Sequence, residues 1–313
     1  RNGVTETVRW YQFKIPVKSP DQVVGNIQDF KSIRFMRMFL MNFPQEITLR
    51  FATLDLVRSQ WRRYEHSLLG VGEYIPNDEH NETSFEISAV NVEENGNRTP
   101  IPYVLPPGIE REINYGTTAL QKMNEQSLSL RVCNLIDGDA RGIYKNTDFD
   151  FRRYKKLKMY VHAEAINPTE YPLYDGDLTL FVRMGTDFTD NYYEYEIPLN
   201  PVPWGVGFDR EAIWPSNQEL DLEIQKLVEL KKKRNELMRN SESNINLSTK
   251  FTLPDGTNYM SVIGVPSLSD VQTIMIGIRN PKKRTITDND DGFSKCAEVW
   301  VNELRLTDID NKG

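Results

Sequence analysis

The sequence predicts a mainly β fold: an antiparallel β-sandwich with one helix and long loops. Three observations predict it. Apolar and polar residues alternate strictly in segment after segment. Gly, Pro, Asn and Asp gather between those segments, where turns need them. Only one stretch carries a helical period. Alternation favours antiparallel sheets, because strands of a parallel sheet are buried on both faces and read as continuous apolar runs.

Taken in order, the first strand pattern pairs Ile47, Leu49 and Phe51 against Thr48, Arg50 and Ala52. Leu128, Leu130 and Val132 then alternate with Ser127, Ser129 and Arg131. Leu157, Met159 and Val161 alternate with Lys156, Lys158 and Tyr160. Leu178, Leu180, Val182 and Met184 oppose Thr179, Phe181, Arg183 and Gly185. Ile274, Ile276 and Ile278 oppose Met275, Gly277 and Arg279. In each, one face belongs in a core and the other meets water or a second layer. The stretch Val299–Leu306 breaks phase: Val299 and Val301 share one phase, Leu304 and Leu306 the other. One inserted residue near Asn302-Glu303 returns both pairs to the core, so a β-bulge is expected there.

The helix is expected over Glu219–Arg239, a span of about 20 residues, with Ser216 or Asn217 as cap after Pro215. Ile224, Leu227 and Val228 form its apolar stripe. Lys231-Lys232-Lys233-Arg234 lies toward its C-terminus, where cations complement the dipole. The expected reading of that basic run is a solvated helix end, with a phosphate or partner contact as the alternative. Gly70–Asn81 reads as a linker, Pro100–Gly108 as an extended surface segment with four prolines, and Asn240–Ser248 as a polar loop.

Ser32–Phe39 and Ile47–Val57 form a strand pair followed by Trp61-Arg62-Arg63, and Val271–Arg279 with Ala297–Leu306 echoes it weakly. The expected plan is therefore residues 1–68 as the C-terminal part of a first sandwich, 69–82 as linker, and 83–313 as a second sandwich. The chain opens on Arg1-Asn2-Gly3 without a signal-peptide pattern and closes on Asn311-Lys312-Gly313. It is expected to be a piece of something larger.

Composition narrows the function classes. In 313 residues, 38 Lys+Arg stand against 45 Asp+Glu, a net charge of −7. A broad nucleic-acid footprint needs the opposite balance, so no nucleic-acid partner is expected. Hydrophobic residues make up 39%, too many for a globally disordered chain. No apolar run is long enough for a transmembrane helix. Three His and two Cys leave little for a transition-metal site.

Several residue sets offer candidate chemistry. If the strands holding Cys133 and Cys296 pair, both sulfurs share a face and a disulfide is within geometric reach, which calls for an oxidising compartment. Two unrelated thiols are the alternative. The segment Thr287–Gly292 followed by Glu298 approaches calcium-loop spacing, with Asn289, Asp291 and Glu298 as the candidate ligands. Thr287 stands where Asp belongs, and Glu298 falls in a strand, so a solvated acidic loop is expected and no metal is assigned. Tyr192, Tyr193, Tyr195, Trp204 and Trp214 lie close in sequence. They offer either a platform for sugar stacking or ordinary core and satellite packing. No Gly-rich phosphate loop, G-x-S-x-G or H-E-x-x-H occurs, and His66, His80 and His162 are scattered. No catalytic residue and no cofactor is assigned, and a glycosidase would need a defined cleft with two carboxylates at set separation.

Certain phrases are more particular. They include Val8-Arg9-Trp10-Tyr11-Gln12-Phe13, Ser32-Ile33-Arg34-Phe35-Met36-Arg37-Met38-Phe39 and Leu49-Arg50-Phe51-Ala52-Thr53-Leu54-Asp55-Leu56. Tyr103-Val104-Leu105-Pro106-Pro107-Gly108, Gly138-Asp139-Ala140-Arg141, Tyr154-Lys155-Lys156-Leu157-Lys158-Met159-Tyr160-Val161-His162 and Val299-Trp300-Val301-Asn302-Glu303-Leu304-Arg305-Leu306 follow in order. Together they resemble the SprA/Sov family, the giant outer-membrane translocon subunit of the type IX secretion system of Bacteroidetes, which also supports gliding motility. The resemblance implies a very large transmembrane β-barrel through which folded proteins leave the cell. This chain would be a water-exposed, non-catalytic insertion of it, an extracellular cap in preference to a periplasmic part. The implied partners are the rest of the barrel, a PorV-type collar, a plug protein and secreted cargo. Leu304-Arg305-Leu306-Thr307 resembles the last strand of galactose-binding-like jelly rolls, which refines the sandwich expectation. A carbohydrate-binding jelly-roll module is the alternative function, resting on Tyr192, Tyr193, Trp204 and Trp214.

Overall fold

The structure, a computed structural model, describes residues 22, 24, 36–51, 61–65, 68, 82–111, 113–114, 121–122, 124–240, 244–283 and 290–309. The chain divides into two compact units, Arg1–Val57 and Arg58–Gly313. In the first, residues 36–51 carry no strand. The strand expected at Ile47, Leu49 and Phe51 is therefore not formed over its described part. Alternation makes a strand only where a neighbour takes up the backbone N–H and C=O groups. Residues 32–35 and 52–57 of the two expected strands, and residues 69–81 of the expected linker, lie outside the described residues.

The second unit is built from β1 (Arg62–Arg63), β2 (Ser84–Asn91), α1 (Val92–Asn95), β3 (Ile113–Asn114), β4 (Gln121–Lys122), β5 (Gln126–Leu135) and β6 (Ala140–Phe149). Next come β7 (Tyr154–Ala165), β8 (Thr179–Gly185), β9 (Tyr192–Pro198), α2 (Arg210–Ile213), β10 (Leu220–Glu223) and α3 (Ile224–Met238). The unit ends with β11 (Phe251–Asp255), β12 (Asn258–Ile263), β13 (Val271–Arg279) and β14 (Lys295–Ile309). A seven-stranded sheet runs β1-β6-β13-β8-β9-β12-β11, and a five-stranded sheet runs β10-β7-β14-β5-β2. Every pairing is antiparallel. Among the described residues, no helix is long and apolar enough to cross a membrane.

The expected alternation sets the inner faces. Leu130, Val132, Leu157, Met159, Val161 and Val299 of the five-stranded sheet share one hydrophobic cluster with Leu180, Val182, Met184, Ile274, Ile276 and Ile278 of the other. Two sheets joined through one core is the arrangement of a sandwich.

The bulge forms where the phase break requires it. Asn302 faces Tyr160 and Arg305 faces Lys158, so β14 carries one residue more than β7 between those pairs. Glu303 takes it up with a left-handed φ of 53°. Beyond the bulge Leu304 and Leu306 return to the main core.

The outer faces differ from a simple half-exposed sheet. Every residue of β8 is buried, as are Ser127 and Ser129 of β5 and His162 and Glu164 of β7. Each sheet bears a further layer. Val90, Ile101, Tyr103, Trp214 and Trp300 form a second cluster, and Tyr64, Leu68, Phe181 and Met275 a third.

The helix is shorter than expected and begins later. Residues Leu220–Glu223 instead form β10, which pairs with β7 from Leu220 opposite Met159 to Glu223 opposite Lys156. Leu220 and Leu222 alternate and are fully buried, and the free edge of β7 takes up their backbone groups. The helix α3 has 15 residues and buries Ile224, Leu227, Leu230 and Arg234, while Val228 is exposed. Arg234 donates to the carbonyl of Gly264, just after β12, at 2.6 Å.

Removing the extra residue of the bulge should be costly. Deleting Glu303 turns Leu304 and Leu306 out of the core and is expected to cost about 2–4 kcal/mol in urea unfolding. Glu303→Gly, which suits the left-handed backbone, should leave stability unchanged or slightly raised.

Candidate functional site

The sequence-predicted site residues fall in different places. Cys133 and Cys296 are brought together on adjacent strands, their Cα atoms 4.0 Å apart and their sulfurs paired. The register shifts at this point: Lys295 faces Leu135 and Ala297 faces Val132, so Cys296 lies opposite two residues of β5, Cys133 and Asn134, the second with a left-handed φ of 54°. The pair ties the two halves of the five-stranded sheet across 163 positions of sequence.

Of the calcium-loop residues, the two that are described, Asp291 and Glu298, go to different partners. Asn289 lies outside the described residues. Asp291 accepts from Lys295 Nζ at 2.6 Å. Glu298 projects from β14 into a different network, described below. Asp291, beside a lysine ammonium, and Glu298, held by an arginine, are each already neutralised by a cation.

The aromatic residues are mostly interior. Tyr192, Tyr193, Tyr195 and Trp214 are each no more than 2% exposed, and burial pushes the Tyr192 and Tyr193 hydroxyls up to about 12. Rings enclosed on both faces have no face to stack on a sugar. Trp204 alone of the set is exposed, and its Nε1 donates to the Ala165 carbonyl at 3.1 Å. Tyr192, Tyr193 and Trp214 therefore take the core and satellite packing, and the alternative sugar platform is not formed from them. His66 and His80 lie outside the described residues.

The constellation that the structure does build is one the pattern of residues did not single out. It lies on the outer face of the five-stranded sheet, under a strap that runs from Asn91 to Ile109. The Asn91 side chain caps α1 by accepting from Glu93 and Glu94 N–H, which turns the chain back over the sheet at the end of β2. The Tyr103 N–H closes the turn on the Asn95 carbonyl at 2.9 Å.

This turn aims Arg98 at two carboxylates on neighbouring strands. Its Nη2 donates to Glu164 of β7 and, at 2.9 Å, to Glu298 of β14. Glu298 also accepts from Ser129 Oγ at 3.0 Å and Trp300 Nε1 at 2.9 Å. Trp300 stacks on His162 with centroids 4.1 Å apart, and Arg98 lies over the same indole at 5.1 Å. His162 Nδ1 donates to the Ile213 carbonyl at 2.7 Å, which fixes the ring.

Further along the strap, Tyr103 OH reaches Glu125 and Ser127, each at 2.7 Å. Trp214 Nε1 donates to the Val104 carbonyl at 2.8 Å, and Tyr160 OH to the Pro107 carbonyl at 2.9 Å. The proline-rich segment thus lacks regular structure, but it does not lie wholly at the surface as expected: its Ile101, Pro102 and Tyr103 are buried. Burial alone would raise the Glu164 carboxyl; the imidazole of His162 and the guanidinium of Arg98 outweigh it and hold it low.

A second polar network occupies the outer face of the seven-stranded sheet. Arg279 donates to Glu194 at 2.9 and 3.0 Å and to Glu196 at 2.5 Å. Arg183 and Lys250 also donate to Glu194. Burial opposes the Glu194 charge, but Arg279, Lys250 and Arg183 together hold it well below the usual carboxylate range. Burial pushes the Lys250 ammonium down to about 8. The Phe181 ring lies across Gly277, where a Cβ would come within 2.3 Å of it, and carries Arg279 and Arg183 at 4.6 and 5.1 Å. Both networks spend their charges inside the protein. Chemically they clamp one layer to the next.

A model of the SprA_N family, described as motility related/secretion protein, matches residues 1–313. The chain belongs to that family. No curated protein matches it. One similar solved structure is that of an exo-β-agarase, at 10% identity and a TM-score of 0.32, covering 75% of this chain and 24% of that one. The chain thus spans about a quarter of that protein's length. Membership of the SprA_N family gives the chain a motility- or secretion-related role.

Arg98→Met should leave two buried carboxylates without their cation. The expected loss at neutral pH is about 3 kcal/mol in urea unfolding. Because Glu164 titrates low when folded, its contribution is complete above the ordinary glutamate value, about pH 4.3, and is lost as pH falls through the lowered folded value. The gap between the parent protein and Arg98→Met should therefore narrow in acid.

Proposed function

We propose that this chain is a non-catalytic, water-exposed region of a large outer-membrane β-barrel translocon that serves type IX protein secretion and gliding motility. Family membership over the whole chain carries the reading. The geometry supports it: the charged and aromatic side chains that would suit chemistry are enclosed and committed to one another. Such a region needs a stable frame and surfaces for neighbours, and no reacting group.

Its partners in this reading are the remainder of the barrel, a PorV-type collar, a plug protein and secreted cargo. It acts without cofactor and without nucleic acid, and forms part of an extracellular cap on the outer membrane. The two sheets belong to a galactose-binding-like jelly roll. Cross-linking mass spectrometry on the intact complex tests the placement. Links from exposed lysines such as Lys232 and Lys233 to collar subunits are expected; links only to periplasmic machinery would overturn it.

An oxidising surrounding is part of the same proposal, since disulfides persist there and not in the cytosol. Alkylation of the untreated native protein followed by mass spectrometry should leave Cys133 and Cys296 unmodified. Labelling of both would contradict the bridge.

A further inference from the structure

A groove of about 540 Å3 runs between α3 and the segment 266–269. Arg152, Lys231, Lys232 and Arg239 line it, against the single carboxylate of Glu236. That is a concentration of positive charge in a chain whose net charge is −7. The nearby carboxylates neutralise it in part: Asp150 takes up Arg152 through two hydrogen bonds, at 3.0 and 2.9 Å. Lys232 and Glu236 lie 4.0 Å apart and are largely exposed, and the Arg152–Asp150 pair is also at the surface. Among the described residues Arg239 has no carboxylate partner. Lys231 is held in place by the Pro266 carbonyl at 2.7 Å, which leaves two of its three N–H groups for a ligand.

The facing wall is chemically different. Ser267 and Ser269 present hydroxyls whose oxygens lie 2.7 Å from each other. Leu268 and Val228 add apolar surface to the groove. Cations on one wall and hydroxyls on the other suit an anion with acceptor oxygens on several sides. A tetrahedral phosphate has that geometry, while a planar carboxylate offers one edge. The volume exceeds what phosphate alone fills and lies in the range of organic-ligand sites.

We propose that this groove binds a phosphate group carried on an organic molecule. The carrier is either a soluble phosphate ester or a lipid headgroup. The basic run Lys231-Lys232-Lys233-Arg234 is then divided in role: Arg234 is buried in the fold, Lys233 faces a second, smaller groove, and Lys231 with Lys232 serve the ligand.

The test uses the full chain in two arms. Glucose 6-phosphate binding is measured by calorimetry. Co-sedimentation is measured with phosphatidylcholine vesicles, with and without phosphatidylglycerol. A Lys232→Gln/Arg239→Gln variant, altered only at exposed positions and checked by circular dichroism, is expected to weaken binding by about tenfold or more, while Lys233→Gln leaves it unchanged. That pattern with the sugar phosphate assigns a soluble ester; that pattern with vesicles alone assigns a lipid headgroup. No binding in either arm overturns the proposal, as does an equal loss in Lys233→Gln, which would indicate diffuse attraction to the surface.

Discussion

A polar side chain that a strand points away from its core must be hydrogen-bonded, and if it is enclosed the partner has to come from the protein. That constraint organises this molecule. In β14, Glu298, Trp300 and Asn302 point away from the shared core and are still buried. The strap over them exists as a set of partners: Arg98 for Glu298 and Glu164, and Tyr103 for Ser127 and Glu125. Without the strap, the outer face of the five-stranded sheet would be wet. With it, that face is a second interior, and the strap is held by charge as much as by apolar area.

The seven-stranded sheet meets the same constraint by a different route. There most partners lie on strands of the sheet itself, with Arg183 and Glu194 directly opposite in register and Arg279 reaching across β8 to β9, and Lys250 joins from just before β11. Gly277 permits this by leaving room for the Phe181 ring on which both arginines rest. A buried ion network is weak evidence of stability, because desolvation offsets most of the attraction. It is strong in geometry, however, since each misplaced layer would strand a charge. A region proposed to hold its shape beside a barrel and passing cargo needs that definition more than it needs extra stability.

Much of the fold was legible in period two. The inward residues of β5, β7, β8 and β13 follow from alternation, and the bulge at Glu303 follows from the phase break between Val301 and Leu304. The pairing of Cys133 with Cys296 was legible only as geometry to be met by strand order. Other features were not legible, for physical reasons. Leu220–Glu223 is compatible with both a helix start and a strand, and the free edge of β7 decides. The outward faces looked solvated because Ser, Glu, Arg and Thr are ordinary surface residues. Their burial depends on segments distant in sequence, such as Arg98, 200 positions from Glu298. Trp300 and His162 in outward phase were the available signal, since a Trp and a His on the water side of a strand call for a cover. Tyr192, Tyr193 and Trp214 carried the same ambiguity and proved to be cover and core, not platform.

The central claim is that Arg98 is held in place by the need to neutralise two buried carboxylates. The most direct measurement compares urea unfolding of Arg98→Met with that of the triple variant Arg98→Met/Glu164→Gln/Glu298→Gln. If the cost of Arg98→Met is unpaired buried charge, the neutral triple variant recovers most of the lost stability, because glutamine keeps the acceptors for Ser129 and Trp300 without the charge. A triple variant less stable than Arg98→Met alone would contradict the account.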